Sequence, residues 1–187
     1  MTLWQRLVAF GFRLLYNEFA FTYDTVSKGV SMGAWRCWQR SALMHLNVSR
    51  DARILEVAHG TGDLQLDLHA RGFTPIGYDL SPHMGRIASR KLKRRSIIPR
   101  LIRGRVEALP FQAASYDAIV CTFPTNFIAS PQTLAECHRV LRADGSMIVV
   151  LSGVFTTHGP ITRLLELAYR ITGQRESQGR LLMLERA

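Results

Sequence analysis

The chain is poor in residues that build covalent or metal-held scaffolds. Its 187 residues include only three cysteines, Cys37, Cys121 and Cys137, an odd number with no CxxC pair. That usage provides neither a disulfide framework nor a zinc site, and reduced thiols suit the cytosol. No uninterrupted apolar run approaches the roughly 20 residues of a membrane span. Arg6 and Arg13 flank only a brief apolar stretch, with no small-residue cleavage site of the secretory type. Low-complexity runs and internal repeats are absent, so the chain reads as globular and cytoplasmic, with attachment to a membrane surface as the remaining membrane option. Acidic residues are scarce: 14, against 24 Lys and Arg, for a net charge of +10.

The excess of positive charge is concentrated. Arg86, Arg90, Lys91, Lys93, Arg94, Arg95, Arg100, Arg103 and Arg105 occur with no acid among them. Such a cluster can contact nucleic acid or anionic lipid, or can be the solvated face of a helix. No aromatic residue lies among these bases to stack on nucleotides, which weighs against RNA.

Hydrophobic residues make up 47% of the chain, enough for one substantial core. Trp4, Leu7, Val8, Phe12 and Leu15 recur at helical spacing within residues 3–20, and a second helix is expected over 35–46. These form an N-terminal cap, residues 1–48, in front of a main domain, 49–187. Strands are expected at 54–57, 75–78, 100–103, 117–122 and 146–151, with helices between them. Strands alternating with helices imply an α/β fold: a doubly wound, mostly parallel, Rossmann-like sheet with helices on both faces. Ser81-Pro82 and Ser130-Pro131 each set a hydroxyl at a helix N-cap and a proline in the first turn. A last helix should end near Ile171, after which one strand, 180–185, fits the sixteen remaining residues. The fifth strand is then expected near an edge that invites homodimer pairing, and the family that the motifs resemble implies C-terminal strands that are reduced or missing here.

The most informative stretch is ILEVAHGTGDL, residues 54–64, followed by GYDLS, residues 77–81. An apolar strand enters a turn containing Gly60 and Gly62, a helix follows, and a second strand ends on Asp79. This is the pattern of a nucleoside-binding βαβ unit, in which the strand-end acid can accept hydrogen bonds from a ribose diol. Glu56, just before the turn, would repel a pyrophosphate but suits a ligand that carries an ammonium and a sulfonium.

At these residues the chain resembles the class I S-adenosyl-L-methionine (SAM)-dependent methyltransferases. Glu107-Ala108-Leu109-Pro110-Phe111 before Tyr116-Asp117-Ala118-Ile119-Val120 is similar to the family's third-strand loop and fourth strand. Glu136 to Leu141, then Arg142-Ala143-Asp144-Gly145 and the apolar run from Met147, is similar to its later helix, turn and fifth strand. Tyr23-Asp24 with Val26, Ser31, Gly33 and Trp38, together with Ala58-His59-Gly60-Thr61-Gly62-Asp63, resembles the ubiquinone and menaquinone C-methyltransferases in particular. That family also tolerates Ala at the first glycine position. His59 and Arg105 depart from its pattern, the first from a small residue and the second from an Asp or Asn near the adenine.

The resemblance implies SAM as cofactor, leaving as S-adenosyl-L-homocysteine, held by Glu56, Ala58, Gly60, Gly62, Asp79, Leu80, Met84, Val106, Glu107 and Thr122. Catalytic candidates are Tyr23, which should close the pocket, His59, as base or as a structural residue, and Asn126 just past the fourth strand. Phe12, Phe19, Phe21, Trp35 and Phe123 are candidate pocket or lid residues for a small hydrophobic acceptor of the quinone-precursor kind. The expected partners are that acceptor, a second copy of the chain, and a membrane surface met by the N-terminal helix. Two other readings remain open at this stage: a non-catalytic cofactor-binding descendant, and an RNA methyltransferase using the basic cluster.

Overall fold

The computed structural model describes residues 3–16, 19–153, 159 and 167. The strands are β1 (Ile54–Val57), β2 (Ile76–Asp79), β3 (Leu101–Arg103), β4 (Tyr116–Thr122) and β5 (Leu141–Val150). They form one parallel sheet in the order β3-β2-β1-β4-β5. The helices are α1 (Leu3–Tyr16), α2 (Tyr23–Val30), α3 (Trp35–Ser41), α4 (Asp63–Ala70), α5 (Pro82–Lys93) and α6 (Pro131–Val140). The doubly wound α/β expectation holds, and strand order reverses between β1 and β4, where such sheets leave a crevice at the strand ends.

Both faces of the sheet are covered, so its strands are apolar on both sides. Leu55 and Val57 of β1 join Ile119 and Cys121 of β4 in a core that includes Cys137 and Val140 of α6. Ile54, with Ala118 and Val120 of β4, packs on the other side with Leu64 and Leu68 of α4 and with Ala42 and Leu43. Side chains alternate along a strand, which turns Glu56 to the α4 side.

Several boundaries differ from expectation. The segment from Tyr23 is a helix of its own, α2, and the expected second helix stops at Ser41 before a 3-10 turn at Ala42–Met44. β5 begins earlier than residue 146: Leu141 pairs with Tyr116 and regular pairing resumes at Ser146 with Ala118. The expected turn at Arg142 to Gly145 is thus an irregularity within the strand. Ser81 caps α5 as expected, its Oγ accepting from the Met84 amide at 3.3 Å. Ser130 does not cap α6; its hydroxyl donates instead to Gln132 Oε1 at 3.0 Å. Among the described residues β5 lies at an edge of the sheet. The side chains of Trp4, Phe12 and Leu15, the helix end near 171 and the strand at 180–185 lie outside the described residues.

The cap is tied to the sheet by charge. Asp67 on α4, 6% exposed, accepts from Arg36 (3.1 and 2.9 Å) and from Arg40 (3.0 and 2.8 Å), both on α3. Burial works to raise the Asp67 pKa, but hydrogen bonds from Arg40 and Arg36 outweigh it and hold the carboxyl below its ordinary 3.8. A depressed folded-state pKa gives stability that is present above the ordinary value and lost as pH falls through the folded one. Asp67→Asn should cost about 1–2 kcal/mol at neutral pH, toward the low end for charged hydrogen bonds because both guanidinium groups are half exposed. Thermal melting should show the gap to the parent narrowing once pH drops below 3.8.

Candidate functional site

The carboxyl ends of β1, β2 and β4 lie side by side, because Val57 is in register with Tyr78 on one side and with Cys121 on the other. Ala58, Asp79 and Thr122 are therefore neighbours at the reversal of strand order. The chain leaves β1 through Ala58 (φ +56°), Gly60 (φ +52°) and Gly62 (φ +82°), all left-handed. Open space surrounds the position a Cβ would take at Gly60, whereas at Gly62 a Cβ would sit 2.8 Å from that of Ala88. Gly60 thus leaves a bare backbone cradle, and Gly62 lets α4 start close against α5.

Asp79 holds this turn in place. Its Oδ2 accepts from the Gly60 amide at 2.9 Å and its Oδ1 from the Ser81 amide at 2.7 Å. Each carboxylate oxygen keeps a further lone pair, so a diol can still be accepted.

Glu56 is the electrostatic anomaly. It is 1% exposed, and its side-chain partner is Gln65 Nε2, which donates to Oε2 at 2.6 Å. Burial pushes its pKa up to about 8, with Asp79, Asp63 and Asp67 adding to the rise and Gln65 opposing it. Gln65 Oε1 is buried with no partner of its own. Glu56 and Gln65 thus present two buried acceptor groups with no cation beside them among the described residues, a set that could hold an ammonium. Gln65 was not among the expected site residues. Its signals were a polar residue between Leu64 and Leu66 and a glycine within β2: Gly77 is opposite Glu56 in register, and a Cβ there would lie 3.1 Å from Gln65 Nε2.

The remaining expected residues are distributed as follows. His59 is 4% exposed; its Nδ1–H donates to the Gly60 carbonyl at 2.9 Å and burial lowers its pKa. That contact braces the turn. Thr122, 7% exposed, accepts from Gln39 Nε2 at 3.3 Å. Leu80 is an exposed rim residue, while Met84 and Val106 are buried. Arg105 is exposed and paired with Glu107 at 3.1 Å. Asn126 is exposed and opens the 3-10 turn Asn126–Ala129 beyond β4.

Over the strand ends, Tyr23 meets Trp35 edge-on at 6.2 Å, and Trp35 lies 4.1 Å from Phe123 with the rings 32° apart. Trp38 meets Phe123 at 6.4 Å. These rings bring cap and sheet together beside the turn. Phe19 and Phe21, also candidate pocket or lid residues, do not join them and are 49% and 73% exposed.

A second set missed by sequence reading latches α2 to the turn. Lys91 on α5 sits 2.6 Å from Asp24, 2.9 Å from Asp63 and 3.1 Å from Thr61 Oγ1, while the Thr61 hydroxyl donates to Asp24 at 2.6 Å. Cys121 and Cys137 are inert by environment: burial raises the pKa of the first well above its ordinary value and that of the second to about 11. No group of metal ligands occurs among the described residues.

Two outcomes follow from this geometry. Ala58→Gly relieves left-handed strain of about 1–2 kcal/mol and costs about 0.4–1 kcal/mol through the unfolded chain. Denaturant titration should therefore find the variant more stable by up to about 1 kcal/mol. A double-mutant cycle of Asp24→Asn and Lys91→Met should give a coupling of about 0.5–1 kcal/mol that shrinks in 1 M salt, a screening length of about 3 Å.

Residues 54–145 match the family described as a methyltransferase domain. The demethylmenaquinone methyltransferase of Thermus thermophilus is 35% identical over 73% of this chain and 63% of its own length. The ubiquinone/menaquinone biosynthesis C-methyltransferase of Geotalea uraniireducens is 30% identical over 73% of this chain and 60% of its own. The chain thus spans a little under two thirds of these relatives. In three dimensions it matches a Methanococcus maripaludis protein, assigned as a SAM-dependent methyltransferase, with a TM-score of 0.67 at 17% identity over 91% of this chain and 82% of that one. That likeness is one of fold. With the glycine turn between two strand-end acids and sequence similarity over most of the chain, this protein belongs to the class I SAM-dependent methyltransferases, close to the ubiquinone and menaquinone C-methyltransferase family.

Proposed function

We propose that this chain transfers a methyl group from SAM to a small, apolar acceptor of the quinone-precursor kind. The observation that carries the reading is the buried Glu56 and Gln65 pair beside the bare Gly60 cradle, a site with acceptors for an ammonium and no cation among the described residues. SAM supplies a methyl group on a cationic sulfur whose departure needs no proton.

The chain's own residues then bind, orient and exclude water. Glu56 and Gln65 take the ammonium, and Asp79 takes the ribose hydroxyls while it holds the turn. Leu80 and Val106 offer apolar contact to the adenine, with Glu107 at its edge, and Thr122 closes the floor from β4. Met84, buried in α5, supports that wall from beneath. Tyr23, Trp35 and Phe123 form an aromatic wall against which a flat acceptor can lie, so positioning contributes much of the rate. Asn126 is placed to hydrogen-bond the acceptor's oxygen. The similarity to enzymes named for quinone methylation supports this acceptor class.

The reading predicts a proton linkage. In the free protein Glu56, with a pKa of about 8, is mostly neutral at pH 7. Pairing with an ammonium favours its ionised form, so binding should release a proton and tighten as pH rises toward 8. Calorimetry with S-adenosyl-L-homocysteine in buffers of different ionisation enthalpy measures that release. Glu56→Gln should abolish it and weaken binding by about tenfold or more. The sign for stability is opposite to that of Asp67. A carboxyl raised in the folded state contributes stability below its ordinary 4.5 that is lost as pH climbs through about 8, so the unliganded Gln variant should melt higher than the parent at pH 8. Absence of S-adenosyl-L-homocysteine binding by the parent would end this reading, and binding without methylation of any quinone precursor would favour the non-catalytic one.

A further inference from the structure

We propose that one side of the molecule, built from α5 and the neighbouring turn at Ala20–Thr22, docks on an anionic lipid bilayer. The inference concerns where the protein sits and holds whether or not the methyl-transfer reading does.

The first observation is a row of exposed charge. Met84, Ala88 and Leu92 are the buried positions of α5. Away from them Arg86, Arg90 and Lys93 recur at spacings of four and three, all exposed, and Arg94 and Arg95 continue the row past the helix end. Among the described residues none of these five has a carboxylate partner within ion-pair distance. Lys91 differs from them. It is turned inward onto Asp24 and Asp63, so the fold neutralises the one cation that packing requires and leaves the outer row unpaired. Each further like charge on one face repels its neighbours, and a surface of opposite sign removes that cost.

The second observation is an apolar patch beside the row. Phe21 is 73% exposed and Phe19 49%, their ring centroids 6.2 Å apart, and Val26 on α2 adds a further exposed apolar side chain. The turn that carries Phe21 packs against α5, and the 2.6 Å ion pair of Asp24 with Lys91 anchors the start of α2 to the same helix. Patch and row therefore share one side of the molecule. Cations that meet phosphate headgroups, with aromatic and aliphatic side chains entering the interface beside them, are the two components of peripheral bilayer binding.

A single-stranded RNA fits this surface less well. The two phenyl rings are tilted 50° to one another, not presented as parallel platforms, and Val26 offers nothing to a base or a sugar.

The test is co-sedimentation of the full chain with vesicles. Vesicles of phosphatidylcholine with about one third phosphatidylglycerol should bind it at low salt, and pure phosphatidylcholine vesicles should not. Raising the salt to 0.5 M should weaken binding about tenfold or more, because headgroup attraction is screened. Phe21→Ser and the pair Arg90→Gln with Lys93→Gln should each lower the partition coefficient by about tenfold while leaving the melting temperature within a degree or two. Should the first variant lose its fold, the charge variant alone decides. Equal binding to both vesicle types, no binding to either, or variants that bind as the parent does would overturn the proposal. So would a uridine oligonucleotide that binds more tightly than the anionic vesicles and is released by the same substitutions.

Discussion

A carboxylate with no counter-ion among the described residues organises this molecule. Glu56 lies in the central strand of the sheet, on the side covered by α4, and burial there disfavours its charge. The surroundings answer with a single amide. Gln65 reaches it because Gly77, the register neighbour of Glu56 on β2, has no side chain in the way. Three choices in sequence, a strand acid, a strand glycine and a helix glutamine, thus make sense only together. A protein selected for stability alone would place an aliphatic residue at position 56. Retaining the acid is a cost that binding of a cationic ligand would offset under the proposed function.

Two of the five described non-glycine residues with left-handed backbone lie at the same place. Ala58 follows β1 and Phe123 follows β4, the two strands between which the sheet order reverses, and both hold left-handed backbone without being glycine. Their amides are fixed by neighbouring strands, Ala58 by the Tyr78 carbonyl and Phe123 by the Val150 carbonyl, each at 2.7 Å. The sheet imposes these conformations. They turn the chain sharply outward at the strand ends and leave room above the glycine bend.

Much of this was legible from residues alone, for reasons that differ by element. Strands buried on both faces are continuous apolar runs, so β1 and β4 were easily found, and Asp79 was identifiable as the acid that ends β2. The glycine pattern announced the turn between them. What stayed hidden depends on spatial proximity. Gln65 is unremarkable until Gly77 is seen to admit it, and Lys91 is one base among nine until three partners from α2, the turn and α4 surround it. The start of β5 was misplaced because Arg142 to Gly145 has the composition of a loop, while the backbone carries it as an irregular part of the strand. Phe19 and Phe21 are candidates for a pocket or a lid, and hydrophobicity alone cannot distinguish inward from outward on a short turn.

The aromatic contacts of the cap carry an optical consequence. Trp35 and Trp38, on one helix, both rest against Phe123 at the margin of the strand ends, and a Cβ at Gly153 would collide with the indole of Trp38. Any departure of α3 from the sheet would transfer these two indoles from a stacked, partly apolar setting into water. Their ultraviolet emission therefore reports natively on how firmly the helical cap is seated, with no dye or label needed.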